Sequence, residues 1–266
     1  MMRPGADTPP AGWSLDARVA LVSGGAGGAG AAISRVLAGA GATVGILDVQ
    51  DEAGSNLAAA LMDAGGRAFF THADVSRAPD VSAAIGAVLA RHGRIDVLVN
   101  HAGTVLVRAF HETSEEDWDR LMAINVKSMF LVTRAVIPAM LAAGRGAIVN
   151  TASISSFTAS PLESAYCATK GAVLQLTRAI AVEYRDRGIR CNAVCPGFIR
   201  TPHGLREMAE LIALGVDASE SAVAAAQGRI CEPEEVARVV HFLASDAASF
   251  INGESIVVDN ASTVLT

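Results

Sequence analysis

The sequence predicts an α/β protein: one doubly wound parallel β-sheet in a single domain, with helices on both faces. Three observations predict it. Strand-like apolar runs alternate with helix-periodic segments along the whole chain after residue 16. The runs are nearly continuous in apolar residues instead of alternating with polar ones, as strands buried on both faces are. The composition, 51% hydrophobic but only 5% aromatic, supplies the small and branched side chains that pack helices onto such a sheet.

The elements follow in order. Residues 18–23 are an apolar run that ends in glycines, and 28–40 read as a helix. The run 43–48 ends in an acid, and a helix over 53–64 follows. Residues 68–72 read as a strand, 80–91 as a helix and 95–100 as the fourth strand. A long helix is expected from 115 to about 143. A strand over 147–151, a helix over 165–187 and a strand over 190–195 come next. Residues 201–229 show no clear period; 232–245 read as a last helix and 254–259 as a last strand. Neither linker nor repeat interrupts this pattern, so 17–266 reads as one domain with a variable segment at 201–229.

Composition narrows the function. The net charge is −6 and no basic stretch stands out, which argues against nucleic acid or an anionic membrane as partner. Residues 1–16, rich in Pro, Gly and polar groups, lack the apolar core of a signal peptide and read as a flexible tail. No run of eighteen apolar residues occurs; the stretch 129–143 is broken by Arg134 and Pro138, so a soluble protein with no membrane span is expected. Of the four cysteines, Cys191 and Cys195 flank one strand, where four residues span roughly 13 Å, too far for a disulfide or a shared metal. All four, with Cys167 and Cys231, read as reduced thiols, and the cytoplasm is the expected compartment.

In sheets of this kind ligands bind at the carboxyl ends of the strands. After the first strand stands Ser23-Gly24-Gly25-Ala26-Gly27-Gly28-Ala29-Gly30. Such glycines let the backbone turn tightly and approach a pyrophosphate at a helix N-terminus. Gly25, Gly27 and Gly30 fit one spacing, and Gly24, Gly28 and Gly30 fit another. Asp48, eighteen residues past Gly30, stands where a carboxylate would bond the adenosine ribose; it is otherwise a cap or a solvent-facing acid. With no Arg or Lys before Arg67, it favours NAD over NADP. Asp74 either meets the adenine edge or forms a turn. The fourth strand ends Asn100-His101-Ala102-Gly103, small enough for a cofactor to pass; His101 is either a base or structural.

Tyr166 and Lys170 stand one helical turn apart, on the same face. An ammonium beside a phenol favours phenolate and is expected to lower its pKa. The chain has two tyrosines, and its two lysines are Lys127 and Lys170; every other basic residue is Arg, which points to a need for a compact ammonium at 170. Ser153, at the end of the fifth strand, can polarise a carbonyl that Tyr166 protonates, with Ser155 and Ser156 as competitors. Pro196 and Gly197 make a rigid turn after the sixth strand, suited to a flat amide ring.

With these motifs in this order, the chain resembles the short-chain dehydrogenase/reductase family, in its Rossmann-fold type of about 250 residues. The resemblance runs from about Leu15 to Asp259. It implies a catalytic tetrad of Asn125, Ser153, Tyr166 and Lys170. It matches Gly24, Gly28 and Gly30 to T-G-x-x-x-G-x-G, with Ser23 for Thr, and Asn100, Ala102 and Gly103 to N-N-A-G, with His101 for the second Asn. Pro196, Gly197 and Thr201 match P-G-x-x-x-T, and 258–261 replace the usual V-D-G-G by V-D-N-A. Ala29, Val75 and Ile199 complete the implied cofactor contacts. The implied reaction is hydride exchange with nicotinamide, Tyr166 serving as acid or base, Lys170 lowering its pKa and bonding the ribose, Ser153 positioning the substrate oxygen and Asn125 holding a water.

The apolar residues Met208, Leu211, Ile212, Leu214, Val216 and Phe157 suggest an apolar or cyclic secondary alcohol or its ketone, although a helix covering its own core shows the same pattern. His203 and Arg206 either bind a carboxylate or face water. A 3-oxoacyl thioester reductase is an alternative, against which Asp48 argues; a catalytically silent NAD(H)-sensing module is another. Apolar arcs formed by Leu121, Met122, Met129, Phe130, Val132 and Val136, and by Val173, Leu176, Ile180 and Val182, predict a homotetramer, as does the resemblance.

Overall fold

The computed structural model describes residues 12–265. Seven strands, β1 Val19–Ser23, β2 Thr43–Asp48, β3 Arg67–His72, β4 Val97–Asn100, β5 Gly146–Thr151, β6 Ile189–Pro196 and β7 Ser255–Val258, form one sheet. Its order is β3-β2-β1-β4-β5-β6-β7 and every pairing is parallel. This is a Rossmann-like sheet, with the change of winding direction between β1 and β4, where a crevice opens at the carboxyl ends.

Period-two burial builds the two layers. Ala20 and Val22 of β1 face one apolar cluster while Val19 and Leu21 face the other. The first layer holds α1 (Gly28–Gly39), α2 (Asp51–Asp63) and α9 (Pro233–Ala244), through Ile33, Leu37, Leu61, Val236 and Leu243. The second holds α3 (Ala78–His92), α5 (Ser128–Ala143) and α6 (Ser164–Tyr184), through Ile85, Val132, Val136, Met140 and Val173. Truncating a side chain such as Leu98, fully buried in β4, would cost about 2–5 kcal/mol.

The long helix expected from 115 to about 143 is present, with features its sequence did not show. The long helix is not uniform: α4 (Glu115–Met122) passes into α5 through a π turn over Ala123–Lys127. The extra residue in that turn points Asn125 inward, where it is buried. Pro138 does not end α5, because it and Arg134, whose carbonyl loses its partner, both lie on the exposed face. The continuous helix Glu115–Ala143 is long and apolar enough to cross a membrane, yet it packs as a core helix on the sheet.

The flexible tail expected over 1–16 falls largely outside the described residues, but its last part is ordered. Leu15 is buried and donates its amide to the Ala40 carbonyl, and the Trp13 ring meets His241 edge-on and Phe242 at a tilt on α9. The apolar arcs used to argue for a tetramer are mostly consumed within the chain. Leu121, Met129, Val132, Val136, Val173 and Ile180 are buried, whereas Phe130 and Val182 are exposed.

The unassigned segment forms α7 (Pro202–Ala213) and α8 (Glu220–Gln227). Thr201 caps α7, its hydroxyl accepting from the Gly204 amide at 3.0 Å, and Ser219 caps α8 in the same way from Ala222 at 3.2 Å. Met208, Leu211 and Val223 pack with Val105, Val107 and Ile230 into a third, small cluster.

Candidate active site

The turn after β1 distinguishes the two glycine spacings. Gly24 and Gly28 hold positive φ, +64° and +51°, which side chains rarely adopt. A Cβ at Gly24 would sit 2.8 Å from the Ala102 Cα, and one at Gly30 would strike the Gly24 carbonyl. Gly24, Gly28 and Gly30 therefore each have a physical requirement, and Gly30 is a packing residue behind the turn. The Ser23 hydroxyl also works from behind: it accepts from the amides of His101 and Ala102 at 3.1 and 3.3 Å, latching β1 to the end of β4. Gly27 precedes α1 without a side-chain cap, and the first turn carries no acid. The free amides and positive dipole end of α1 suit a pyrophosphate.

That helix end opens into a cavity of about 820 Å³, the size range of a cofactor with a small substrate. Gly24, Gly28, Ala29, Asp48, Asp74, Val75, Ala102, Gly103, Ser153, Tyr166, Lys170, Pro196, Gly197, Ile199 and Thr201 all line it. Asn100 does not contribute its side chain. Its amide donates to Thr133 and Asn150 at 2.9 and 2.8 Å inside the second layer, tying β4 to β5 and α5. Asp48 is buried and braces the turn, accepting from the Ala26 amide at 3.0 Å and the Gln50 amide at 3.1 Å. Asp74 accepts from the Ser76 amide and hydroxyl, so it both forms a turn and faces the cavity.

At the far end, β5 and α6 bring Ser153, Tyr166 and Lys170 together. The Ser153 hydroxyl accepts from the Ser155 amide at 3.1 Å and lies beside the Tyr166 phenol, where it favours the ionised form. Ser155 and Ser156 stay outside the cavity lining, and the Ser156 hydroxyl donates to the Lys170 carbonyl at 2.9 Å. Lys170 is buried, its Nζ donates to the Thr151 carbonyl at 2.9 Å, and it lies 5.6 Å from the Tyr166 ring centre. Burial pulls its pKa down to about 8. The Tyr166 phenol is not lowered as expected. Burial and then the nearby Glu207 carboxyl push it above its ordinary value, against the opposing effect of the Ser153 hydroxyl. Asn125 is fully used: it accepts from the Thr104 amide at 2.8 Å and donates to the Thr104 carbonyl and the Thr169 hydroxyl. It thereby fixes the 101–104 segment against α6.

His101 lines the cavity, with Nδ1 3.0 Å from the Thr151 hydroxyl. Burial, then Lys170, pulls its pKa down to about 4, so it is neutral at pH 7. The altered ending also has a local account. Asn260 and Ala261 have φ of +50° and +68°, conformations natural to the glycines they replace. The Asn260 side chain donates to the Gln227 carbonyl at 3.0 Å, and Gln227 in turn holds Phe198 in the turn after Gly197.

Several lining residues were not singled out from the sequence: Gln50, Thr151, Arg120 and, on α7, Glu207. The apolar residues assigned to substrate do not line the cavity. Met208 and Leu211 are buried in the third cluster, and Phe157, Ile212 and Leu214 are about half exposed. Instead α7 turns His203, Arg206 and Glu207 toward the cavity, at the i, i+3, i+4 spacing of one helix face.

Glu207 lies beside the Glu163 carboxyl, and burial, then the Glu163 charge, raises its pKa to about 8. A carboxyl raised in the folded state keeps a proton that the unfolded chain has released. Its stabilising contribution is complete below the ordinary carboxylate range and is lost as pH rises through about 8. The melting temperature should therefore fall between about pH 5 and pH 8, and Glu207→Gln should flatten that fall. A pH series of thermal melts on both proteins checks this.

A glycine-lined helix end and a Ser–Tyr–Lys cluster in one crevice define an oxidoreductase of the nicotinamide-dependent class. Comparison with known proteins gives the family. A family model described as enoyl-(acyl carrier protein) reductase matches residues 24–262. The chain is 42% identical to a cyclopentanol dehydrogenase of Comamonas testosteroni over 250 residues, 92% of this chain and 97% of that protein. It is 40% identical to a D-threitol dehydrogenase of Mycolicibacterium smegmatis over 251 residues, 94% of each chain. A gluconate 5-dehydrogenase from Burkholderia cenocepacia, solved with NADP and tartrate, superposes with a TM-score of 0.87 at 34% identity, over 96% of this chain and 98% of that one. The chain belongs to the short-chain dehydrogenase/reductase family, and acts as an oxidoreductase on CH–OH groups with a nicotinamide cofactor.

Proposed function

We propose that the protein is an NAD(H)-dependent dehydrogenase that interconverts a small, compact secondary alcohol and its ketone, with Tyr166 as acid or base. The observation that carries this reading is the meeting of Ser153, Tyr166 and Lys170 in the same cavity as the open N-terminus of α1. Bound there, a nicotinamide cofactor supplies the hydride acceptor or donor. The chain does the rest. The amides of α1 hold the pyrophosphate, and Asp48 meets the ribose. Ser153 fixes the substrate oxygen, Tyr166 exchanges its proton with that oxygen, and Lys170 holds positive charge beside it. Ile124, Phe198 and Pro202 provide apolar wall for a small ring, and the similar Comamonas protein is named for cyclopentanol.

Asp48 supports NAD over NADP, although the similar Burkholderia enzyme was solved with NADP. The cations lining the cavity are Arg120, Lys170 and Arg206, none of them from the segment after β2. A 2′-phosphate beside the Asp48 carboxylate should cost on the order of 3 kcal/mol at intermediate dielectric, or about 10²-fold in kcat/KM. Steady-state kinetics with both cofactors test this; equal values, or better use of NADP, would refute it.

We also infer a homotetramer in the cytoplasm. The exposed Phe130 and Val182 on α5 and α6 support association, and four free cysteines suit a reducing compartment. Light scattering should give about four times the 27.3 kDa chain mass; a value near one chain mass would contradict it.

A further inference from the structure

Of the three polar α7 side chains that face the cavity, Glu207 is the one withdrawn from solvent. Its side chain is 14% exposed, against 40% for His203 and 52% for Arg206. It meets Glu163, which directly precedes α6 and stands three residues before Tyr166; Glu163 is only 2% exposed. Burial raises both carboxyls above their ordinary range, Glu207 to about 8, so Glu207 keeps its proton at pH 7. The Oε1 of Glu163 is buried without a hydrogen-bond partner, which adds to the cost of ionising two carboxyls here.

The surroundings define what this pair can bind. From α6 it faces Lys170 and Tyr166, whose phenol feels the Glu207 charge. On α7, His203 Nε2 lies 4.0 Å from Glu207 and Arg206 is partly engaged by Glu210 at 3.5 Å. Glu207 thus lines the same cavity as Ser153 and Tyr166, and its protonated carboxyl offers a donor and an acceptor side by side. A hydroxyl is the neutral group that answers both. A plain hydrocarbon ring pressed against it would strip water from the pair and return no hydrogen bond, which is how a polar site rejects an analogue lacking a hydroxyl.

We propose that Glu207, held by Glu163, is a specificity-determining residue that hydrogen-bonds a second hydroxyl of the substrate, so that the site selects small vicinal diols over the matching mono-alcohol. This rests on the dehydrogenase reading for what happens at the first hydroxyl, but recognition of the second is a binding property and can be measured without turnover. In a complex with NADH an alcohol cannot react, so its equilibrium affinity reads recognition alone.

The test titrates a vicinal cyclopentanediol and cyclopentanol into the NADH complex of wild type, Glu207→Gln and Glu207→Leu, by calorimetry or NADH fluorescence. Wild type should prefer the diol. Glu207→Gln, whose amide keeps a donor and an acceptor, should retain most of that preference. Glu207→Leu should reduce the diol-to-cyclopentanol affinity ratio by about 10- to 100-fold. Because Glu207→Leu orphans the buried Glu163 carboxyl, a Glu163→Leu, Glu207→Leu double variant provides the same measurement with neither charge present, and it too should lose the preference. A ratio that does not move in these leucine variants, or a wild type that binds neither alcohol, overturns the proposal. A wild type that prefers the diol in binding yet oxidises neither alcohol supports the diol site and overturns the dehydrogenase reading instead.

Discussion

Replacing Tyr166 by Phe should lower kcat by about 10²- to 10⁴-fold, the range that a positioned acid or base supplies, while NADH affinity stays within a few-fold. The change removes one oxygen and keeps the ring, which packs against the third apolar cluster under α7. Ser153, whose hydroxyl accepts from the Ser155 amide at 3.1 Å, stays in place, so the substrate oxygen loses its proton source but keeps one hydrogen bond. Because burial and the Glu207 carboxyl hold the phenol above its ordinary pKa, alcohol oxidation, which needs the basic form, should rise with pH in wild type. Cofactor titration by fluorescence, beside steady-state kinetics, separates the two properties. Substantial retained turnover would move the acid elsewhere. His101, unprotonated at pH 7 and lining the same cavity, would be the first candidate for the base in the oxidising direction.

Lys170→Arg should be nearly as severe although it keeps the charge. Lys170 is buried, its ammonium is spent on the Thr151 carbonyl, and a Cβ on Gly103 would lie only 3.7 Å from Nζ. A guanidinium is longer, planar and fork-shaped, and cannot occupy that pocket without pushing on the 101–104 segment that Asn125 pins. Misplacement at a reacting centre costs about 10²-fold, and kcat should fall by that factor or more, with the ionisation of Tyr166 moved to higher pH. A pH–rate series on both proteins checks it. Near-wild-type kinetics in the variant would remove Lys170 from the mechanism.

The strands and the main helices were legible because burial on both sheet faces leaves near-continuous apolar runs, and helical layers leave a 3.6-residue period. The ends of those strands were legible too, since glycines, an acid and a Tyr–Lys pair have few other uses there. What the sequence hid are features made by tertiary contact. The π turn at Asn125 follows from how the 101–104 segment is held, not from the residues 123–127 themselves. The helix α8 is short and buries only Val223 and Gln227, too few to show a period, while α7 carries an apolar face through Met208 and Leu211 whose start is set by the Thr201 cap. The pairing of Glu163 with Glu207 joins residues forty-four positions apart, and neither has a local motif. Asn100 and Ser23 stood in cofactor motifs, yet their side chains brace the strands from behind, which spacing alone does not distinguish from contact. The upward shift of Tyr166 also depends on Glu207, whose approach no spacing within α6 could reveal.

The central claim is that this cavity turns over secondary alcohols with a nicotinamide. The most direct measurement is NADH formation by wild type supplied with NAD and a panel of small cyclic secondary alcohols and diols, with Tyr166→Phe as the paired control. Turnover of at least one member in wild type, lost in Tyr166→Phe, is the result predicted. Tight NADH binding with no turnover of any member, in either direction, would contradict the account and leave a nicotinamide-binding module without catalysis.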